Sequence, residues 1–328
     1  MDDDEIVIAR DLPRRALDRS RRDGELERLR HGAYRPVPPA RQDEHAAETA
    51  RRRAKTVVRA VHRQLGADHV FSHETAALVH GFRLWAPPGT THVIQGYRRS
   101  GAAAGDLTRH RMRLEPGQRT TVDRLPVTSL ERTVVDCALT MHPLEALVIS
   151  DHALARGLDL DACRELLGRT RRRNGVARAR WILEHADDGS DSAWETWLRY
   201  VSLRAGLPRP VTQAAIPTAA RVYHCDLGWP AWNVYAEFDG LAKYRAGGVR
   251  PGHDPRQELL REKERFDAIR ATGVNPVRVV ATSNARLAKV IDALAARFPD
   301  HLRRTFRADP LLPLPPMRDL STDQFGKN

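Results

Sequence analysis

At 328 residues the chain exceeds one ordinary domain, which predicts two or three. Hydrophobic residues at 41% and charged residues at 29% supply real cores and exclude a chain that is disordered throughout. The 54 Lys and Arg outweigh 42 Asp and Glu, and the resulting formal charge of +12 attracts polyanions, nucleic acid first among them. Only Lys55, Lys243, Lys263, Lys289 and Lys327 among these cations are lysines, so a general bias toward arginine codons is the competing explanation.

Cys137, Cys163 and Cys225 lie far apart and form no CxxC pair. They argue for a reducing compartment and against a disulfide scaffold or a cysteine zinc site. The start Met1-Asp2-Asp3-Asp4-Glu5 is acidic where a signal peptide is basic. No apolar run reaches the roughly 18 residues that span a bilayer. The expectation is a cytoplasmic protein without a membrane partner.

In chain order, residues 10–24 read as short helical segments crowded with Arg14, Arg15, Arg19, Arg21 and Arg22. Leu26, Leu29, a turn at Gly32 and Tyr34 then suggest a small hairpin. A basic helix followed by a hairpin outlines a winged helix, and a basic helix with a solvated turn has the same signature. Residues 44–65 carry Ala47, Ala50, Ala54, Val57, Val58, Val61 and Leu65 at helical spacing. Val70 and Phe71 form a strand tip leading into a helix capped by Ser72 and stopped by Gly81. Residues 86–106, rich in Pro, Gly and Ala, suit turns and loops. Thr128-Ser129-Leu130-Glu131 fits a capping box opening a helix through Leu139, and a second helix follows around Leu144–Ala155.

The segments Ser72-His73-Glu74-Thr75-Ala76-Ala77 … His80-Gly81 and Val127-Thr128-Ser129-Leu130-Glu131-Arg132-Thr133-Val134-Val135-Asp136 resemble the AbiEi-type antitoxin and regulator family. The resemblance covers roughly residues 6–160 and implies a winged helix before an α+β region, DNA binding, and a protein partner for the middle domain. Every residue in it has a cap or core role, so no catalytic role falls on this half.

Residues 169–180 concentrate arginines, including Arg171, Arg172 and Arg173. They form either a phosphate-contacting patch, for which clustered cations suffice, or a solvated helix face. Asp187-Asp188-Gly189-Ser190-Asp191 reads as a linker. A helix over 192–205 places Trp194, Trp197, Leu198 and Val201 on one face. Strands are predicted at Val211–Ile216, Arg221–Trp229 and Asn233–Asp239.

On the last strand, period-two geometry puts Tyr235, Glu237 and Asp239 on one side and Val234, Ala236 and Phe238 on the other. Asp226, across a short Trp229-Pro230-Ala231 connection, can face this acidic pair if the strands form a hairpin. Crowded carboxylates repel and resist desolvation, so each one's removal is expected to leave stability unaltered or slightly raised. A hard divalent cation, Mg²⁺ or Mn²⁺, is the usual remedy, and it activates water against a phosphodiester. Lys243, four residues past Asp239, offers an ammonium for phosphate or water, or is a solvated loop lysine.

The helix over Gln257–Ala271 turns Leu260, Phe266 and Ile269 inward and Lys263 and Arg265 toward the edge. Its charges serve either substrate contact or i,i+4 pairing. His224-Cys225 lacks the second pair a zinc site requires and reads as strand. Asp309–Asn328 is Pro-rich and expected to be a flexible tail.

The segment is similar to the PD-(D/E)xK nuclease superfamily, closest to its very-short-patch-repair-like endonuclease branch. The matching residues are Ser192-Ala193-Trp194-Glu195, Ala205-Gly206-Leu207-Pro208, Gln213, Asp226-Leu227-Gly228-Trp229-Pro230, Glu237-Phe238-Asp239-Gly240, Glu262-Lys263 with Arg265, Asp267 and Arg270, and Val277-Arg278-Val279-Val280. The resemblance covers about 191–295. It implies a restriction-endonuclease-like mixed sheet flanked by helices and metal-dependent phosphodiester cleavage. It makes Asp226 and Glu237 metal ligands and Glu195 the acidic residue completing the site, although Ser192-x-x-Glu195 is also a capping box. It puts Asp239 at the lysine position of the motif and Lys243 where this branch often has His. Lys263 and Arg265 would contact the nucleic-acid backbone.

The expected fold class is α/β. The expected domains are 1–39 winged-helix-like, 40–168 AbiEi-like, 169–190 basic helix and linker, 191–308 nuclease-like and 309–328 tail. The expected function is Mg²⁺- or Mn²⁺-dependent cleavage of nucleic acid, DNA rather than RNA, with an N-terminal regulatory region related to toxin–antitoxin or defence systems. The rival is a non-catalytic DNA-binding regulator that uses the nuclease fold as a scaffold.

Overall fold

The computed structural model describes residues 6–37, 46–96, 105–170, 174–239, 255–280 and 284–316. Its architecture is mixed α/β, with three sheets and the helices packed on them. The first sheet is small and antiparallel, built from β1 (Val7–Ile8), β2 (Leu26–Arg30) and β3 (Ala33–Pro36) in the order β1-β3-β2. Between its strands runs α1 (Arg14–Arg22), which buries only Leu17 and leaves Arg14, Arg15, Arg19, Arg21 and Arg22 exposed. The long helix α2 (Ala46–Gln64) serves two cores. Its Ala60 packs with Ile6, Ile8, Leu29 and Ala33, and its Val58 and Val61 pack into the next layer. Arg30 ties the two layers together through a bidentate pair with Asp106 at 2.8 and 2.9 Å.

The second sheet is mixed. It contains β4 (Val70–Phe71), β5 (Thr91–Gln95), β6 (Leu107–Arg111), β7 (Arg119–Val122) and β8 (Leu125–Thr128) in the order β6-β5-β4-β8-β7, with α3 (His73–Val79) following β4. β5 overturns the expectation of turns and loops across 86–106. Pro87-Pro88-Gly89 dominates that composition, but Thr91, Val93, Ile94 and Gln95 are buried and the strand pairs with β4 and β6. The helix after β8 is capped one residue later than the capping box predicts. Ser129 accepts from the Arg132 N–H at 3.3 Å, while the Thr128 hydroxyl, still on the strand, bonds Thr133 Oγ1 at 2.6 Å.

Helices α4 (Leu130–Thr140), α5 (Pro143–Leu154), α6 (Leu160–Gly168) and α7 (Val176–His185) then pack together. α7 lies within the stretch read as basic helix and linker, and it buries Ala179, Trp181, Ile182 and Leu183. Gly175 has φ +85° and a Cβ there would stand 2.3 Å from the Leu139 carbonyl oxygen, so only glycine allows this helix to start so close to α4.

The third sheet contains β9 (Val211–Pro217), β10 (Val222–Trp229), β11 (Val234–Asp239) and β12 (Val277–Val280) in the order β12-β11-β10-β9. The first three form an antiparallel meander, and β12 runs parallel to β11. α8 (Ala193–Arg204) covers one face, where Trp194 stacks on Phe238 with ring centroids 5.1 Å apart. α9 (Pro255–Ala271) covers the other, with Ile269 against Ala214, Cys225 and Tyr235. Leu260 on α9, expected inward, is exposed, while Ile269 on the same helix meets the apolar patch. α10 (Asn284–Ala295) and α11 (Asp300–Arg303) follow.

One apolar cluster runs without a break from α4–α7 through α8 to β10–β12, α10 and Leu312. The acidic stretch 187–191 is therefore bonded in place rather than a free linker. The Asp187 N–H donates to Asp151 Oδ1 at 3.0 Å, Thr212 donates to Asp187 Oδ1 at 2.6 Å, and Ser190 is buried. Asp151 in turn accepts from Thr196 at 2.8 Å and from Arg199 at 2.5 Å. The first part of the expected flexible tail is also anchored. Tyr200 donates to the Pro313 carbonyl at 2.7 Å, Leu312 is buried, and residues beyond 316 lie outside the described ones. Among the described residues no helix is long and apolar enough to cross a membrane.

Candidate functional site

Asp226 lies where the pairing of β10 and β11 ends, with Glu195 near it and Glu237 and Asp239 farther along β11. The two strands pair at Leu227↔Ala236, Gly228↔Tyr235 and Trp229↔Val234, and at Asp226 the pairing stops. Strict alternation would put Cys225, Leu227 and Trp229 on one face. Instead Cys225 lies in the α9-side cluster, while Leu227 and Trp229 lie in the α8-side core. The strand turns over at Asp226, and on β9 the adjacent Gln213 adopts a left-handed φ of +45°. The Phe238 N–H donates to Asp226 Oδ2 at 2.6 Å. This irregularity sets a carboxylate in the mouth between the strands, as β-bulges often do beside functional sites.

Glu195 reaches that mouth from the first turn of α8 and is only 3% exposed. Its carboxylate accepts from the Asp191 N–H at 2.7 Å, from Ser192 Oγ at 2.9 Å and from Gln213 Nε2 at 3.3 Å. Ser192 Oγ accepts from the Glu195 N–H at 3.2 Å, so the capping role is realised too. Burial, and next the charge of Asp226, push the Glu195 carboxyl up to about 7 in spite of these bonds.

Glu237 faces α9. Both Arg265 Nη atoms donate to its carboxylate, and Arg265 also donates to the His224 carbonyl at 2.9 Å. Cys225 Sγ donates to Glu237 Oε1 at 3.2 Å, and burial followed by the Glu237 charge raises the thiol far above its ordinary range. His224-Cys225 is thus strand, as read from the sequence. Asp239, at the end of β11, lies 3.5 Å from Arg278, which also pairs with Glu262 at 2.5 Å and sits 4.2 Å over the Phe266 ring.

The structure therefore sets Glu195 near Asp226, while Glu237 faces α9 paired with Arg265, and Asp239 lies against Arg278. Arg265 bonds Glu237, while Lys263 stands exposed on the same helix. Lys243, Arg171, Arg172 and Arg173 lie outside the described residues. Beside that run, Arg169 pairs with Glu165 and Arg178 donates to the Leu139 carbonyl at 3.0 Å.

Glu195 and Asp226 fit Mg²⁺ or Mn²⁺ in charge and donor type, being hard oxygens that repel each other without a cation. Glu237 already has a counter-charge in Arg265. Among the described residues, the three ligand-type side chains whose donor atoms all lie within 4.8 Å of one another are not these carboxylates but His73, His92 and His110. Sequence reasoning missed that group, since gaps of 18 and 19 residues match no ligand motif. The available signal was parity: His92 and His110 sit on the same face of adjacent parallel strands, diagonal across the register Ile94↔His110.

No protein-family model matches the chain. Two curated proteins of Mycobacterium tuberculosis are similar to it, "Uncharacterized protein MT2308" from strain CDC 1551 / Oshkosh and "Uncharacterized protein Rv2248" from strain ATCC 25618 / H37Rv. Each is 30% identical over 178 residues, covering 52% of this chain, and the chain spans 60% of the length of each relative. Among solved structures, the crystal structure of RV2827C protein from Mycobacterium tuberculosis aligns with a TM-score of 0.38 and 16% identity. That alignment covers 55% of this chain and 71% of the other, and at that score the likeness assigns no fold family.

Proposed function

We propose that the chain is a metal-dependent endonuclease that hydrolyses phosphodiesters of nucleic acid, DNA rather than RNA, at the Glu195–Asp226–Glu237 cluster. The carrying observation is Glu195, a buried carboxyl held at about 7 beside the charge of Asp226. A carboxyl with that value exchanges a proton near neutral pH, which is what acid–base work on a phosphodiester requires. Mg²⁺ or Mn²⁺ held by Glu195 and Asp226 would supply a bound water of lowered pKa and neutralise phosphate charge. Arg265 holds Glu237 in the resting site and can exchange that carboxylate for a backbone phosphate, since guanidinium pairs bidentately with either. Lys263, exposed on the same helix, adds a second cation for the phosphate backbone. The order β12-β11-β10-β9, with α8 on one face and α9 on the other, agrees with a restriction-endonuclease-like arrangement.

The N-terminal part supports a DNA-docking role. A three-stranded sheet beside α1 and its five exposed arginines agrees with a winged-helix-like start. An AbiEi-like middle domain would add a regulatory protein partner, as in toxin–antitoxin or defence systems. The second reading, a DNA-binding regulator without catalysis, draws on the ion pairs Glu237–Arg265 and Asp239–Arg278, which neutralise two acids without a metal. The test is a panel of single-stranded, duplex and mismatched DNA and RNA incubated with purified protein and Mg²⁺, Mn²⁺ or EDTA. Cleavage that requires the cation supports the enzyme. Binding with no cleavage of any substrate in either cation supports the regulator.

A further inference from the structure

His73, His92 and His110 come from three different elements: the start of α3, the middle of β5 and the end of edge strand β6. One donor atom from each lies within 4.8 Å of the others, and His92 Nδ1 and His110 Nε2 are 3.0 Å apart. The His73 and His110 rings stack with centroids 4.0 Å apart, and the His73 and His92 centroids are 5.3 Å apart.

The outer nitrogens of His73 and His92 are anchored as the ligands of a metal site are. His73 Nδ1 bonds Ser72 Oγ at 2.9 Å, which turns Nε2 toward the cluster. His92 Nε2 bonds Thr90 Oγ1 at 3.0 Å and lies 3.6 Å from Glu74 Oε1, which turns Nδ1 inward. Partners of this kind fix the tautomer and orient a ligating imidazole, and a carboxylate behind a histidine is a common one. The backbone is clamped as well. The Ser72 N–H donates to the His92 carbonyl at 3.1 Å, and the His92 N–H donates to Thr75 Oγ1 at 2.9 Å. His73 holds a left-handed φ of +53°, an uncommon conformation for a non-glycine residue, and is fully buried.

We propose that His73, His92 and His110 form a binding site for a borderline divalent transition metal, Zn²⁺ foremost, separate from the carboxylate cluster. Three imidazole nitrogens suit Zn²⁺, Co²⁺ or Ni²⁺ and are poor ligands for Mg²⁺, which selects oxygen. Three protein ligands leave a fourth tetrahedral position for water or an incoming donor. The ion would also cross-link β6, which among the described residues stands at the edge of its sheet beside β5, to the start of α3. The site can thus set the rigidity of the middle domain by metal loading.

The test uses the full-length, tag-free protein stripped by a chelator and dialysed. Zn²⁺ is titrated by calorimetry in the presence of excess Mg²⁺, and Co²⁺ is followed by its visible absorption. The wild type is expected to bind one Zn²⁺, to show the intense absorption of tetrahedral Co²⁺, and to melt at a higher temperature when loaded. His110→Gln, on the edge strand and only part-buried, and His92→Gln should each weaken Zn²⁺ by more than the roughly 10–100-fold lost with an outer partner. Circular dichroism checks that both variants fold. A variant that unfolds is replaced by Ser72→Ala, which touches only the outer nitrogen of His73 and should weaken binding by roughly tenfold or more. No Zn²⁺ bound to the folded wild type, or equal affinity in the folded variants, overturns the proposal.

Discussion

Glu195 is a carboxyl whose protonation is written into the fold. Its value rises from 4.5 in an unfolded chain to about 7 in the folded one, through burial first and Asp226 second. Between those values the native state holds a proton that the unfolded chain has released, so stability is full below pH ~4.5 and falls as pH rises through ~7. The span corresponds to about 3 kcal/mol. Urea melts at pH 5, 6, 7 and 8 are expected to show this decline, to which the Glu74 carboxyl, also pushed up to about 7 by burial, adds its own share; Glu195→Gln should make it shallower, and an unchanged decline in the variant would mean that Glu195 contributes nothing to it.

Glu237 behaves in the opposite way to what crowding of acids suggests. Arg265 and the Cys225 thiol depend on its charge, so Glu237→Gln is expected to cost roughly 2 kcal/mol, the scale of a hydrogen bond to a charged partner. Asp226→Asn keeps an oxygen for the Phe238 N–H and relieves Glu195, so it should be neutral or slightly stabilising in metal-free protein. The expectation of a neutral or mildly stabilising substitution is kept for Asp226→Asn and replaced for Glu237→Gln by a loss of stability. What the sequence did not contain was Arg265 folding back onto the strand from 28 residues away.

Three strands of the last sheet and α8 were legible because their cues are local. Strands were read at β9, β10 and β11, with alternation on β11, and the helical spacing of Trp194, Trp197, Leu198 and Val201 marked α8. The turnover at Asp226 was not legible, since a period-two reading assumes that a strand never changes face. β5 was hidden by the Pro-Pro-Gly before it, and the histidine cluster by the distance along the chain between β5 and β6. Gly228 carries the packing of this sheet. A Cβ there would lie 2.4 Å from the Ala214 Cβ and 2.9 Å from the Tyr235 ring. Gly228→Ala is therefore expected to destabilise by about 1–3 kcal/mol, the scale of overpacking. Denaturation midpoints measure it, and an unshifted midpoint would contradict the close approach of β9, β10 and β11.

On the scale of the whole molecule, the composition foretold several domains, but the apolar core ignores the boundary at 190. α7 and α8 share it, and Asp151 on α5 bonds both Asp187 and Arg199 across it. Residues 191–328 alone are expected to melt without cooperativity, so DNA binding is better probed in the full chain. Replacing Arg14, Arg15, Arg19 and Arg22 by Gln should flatten the fall of log K with log salt by about 0.9 for every DNA phosphate that these arginines neutralise. An unchanged slope would place DNA binding elsewhere.

Acids at the break between β10 and β11 are proposed to cut phosphodiesters with a divalent cation. The most direct measurement compares wild type with Asp226→Asn, both shown folded, on the DNA that the wild type cleaves best in Mg²⁺ or Mn²⁺. The wild type is predicted to cleave only with the cation, and the variant to be slower by roughly a hundredfold or more, the scale of removing one charge-stabilising group. Equal cleavage by both proteins, or no cleavage by the wild type on any substrate in either cation, would contradict the claim.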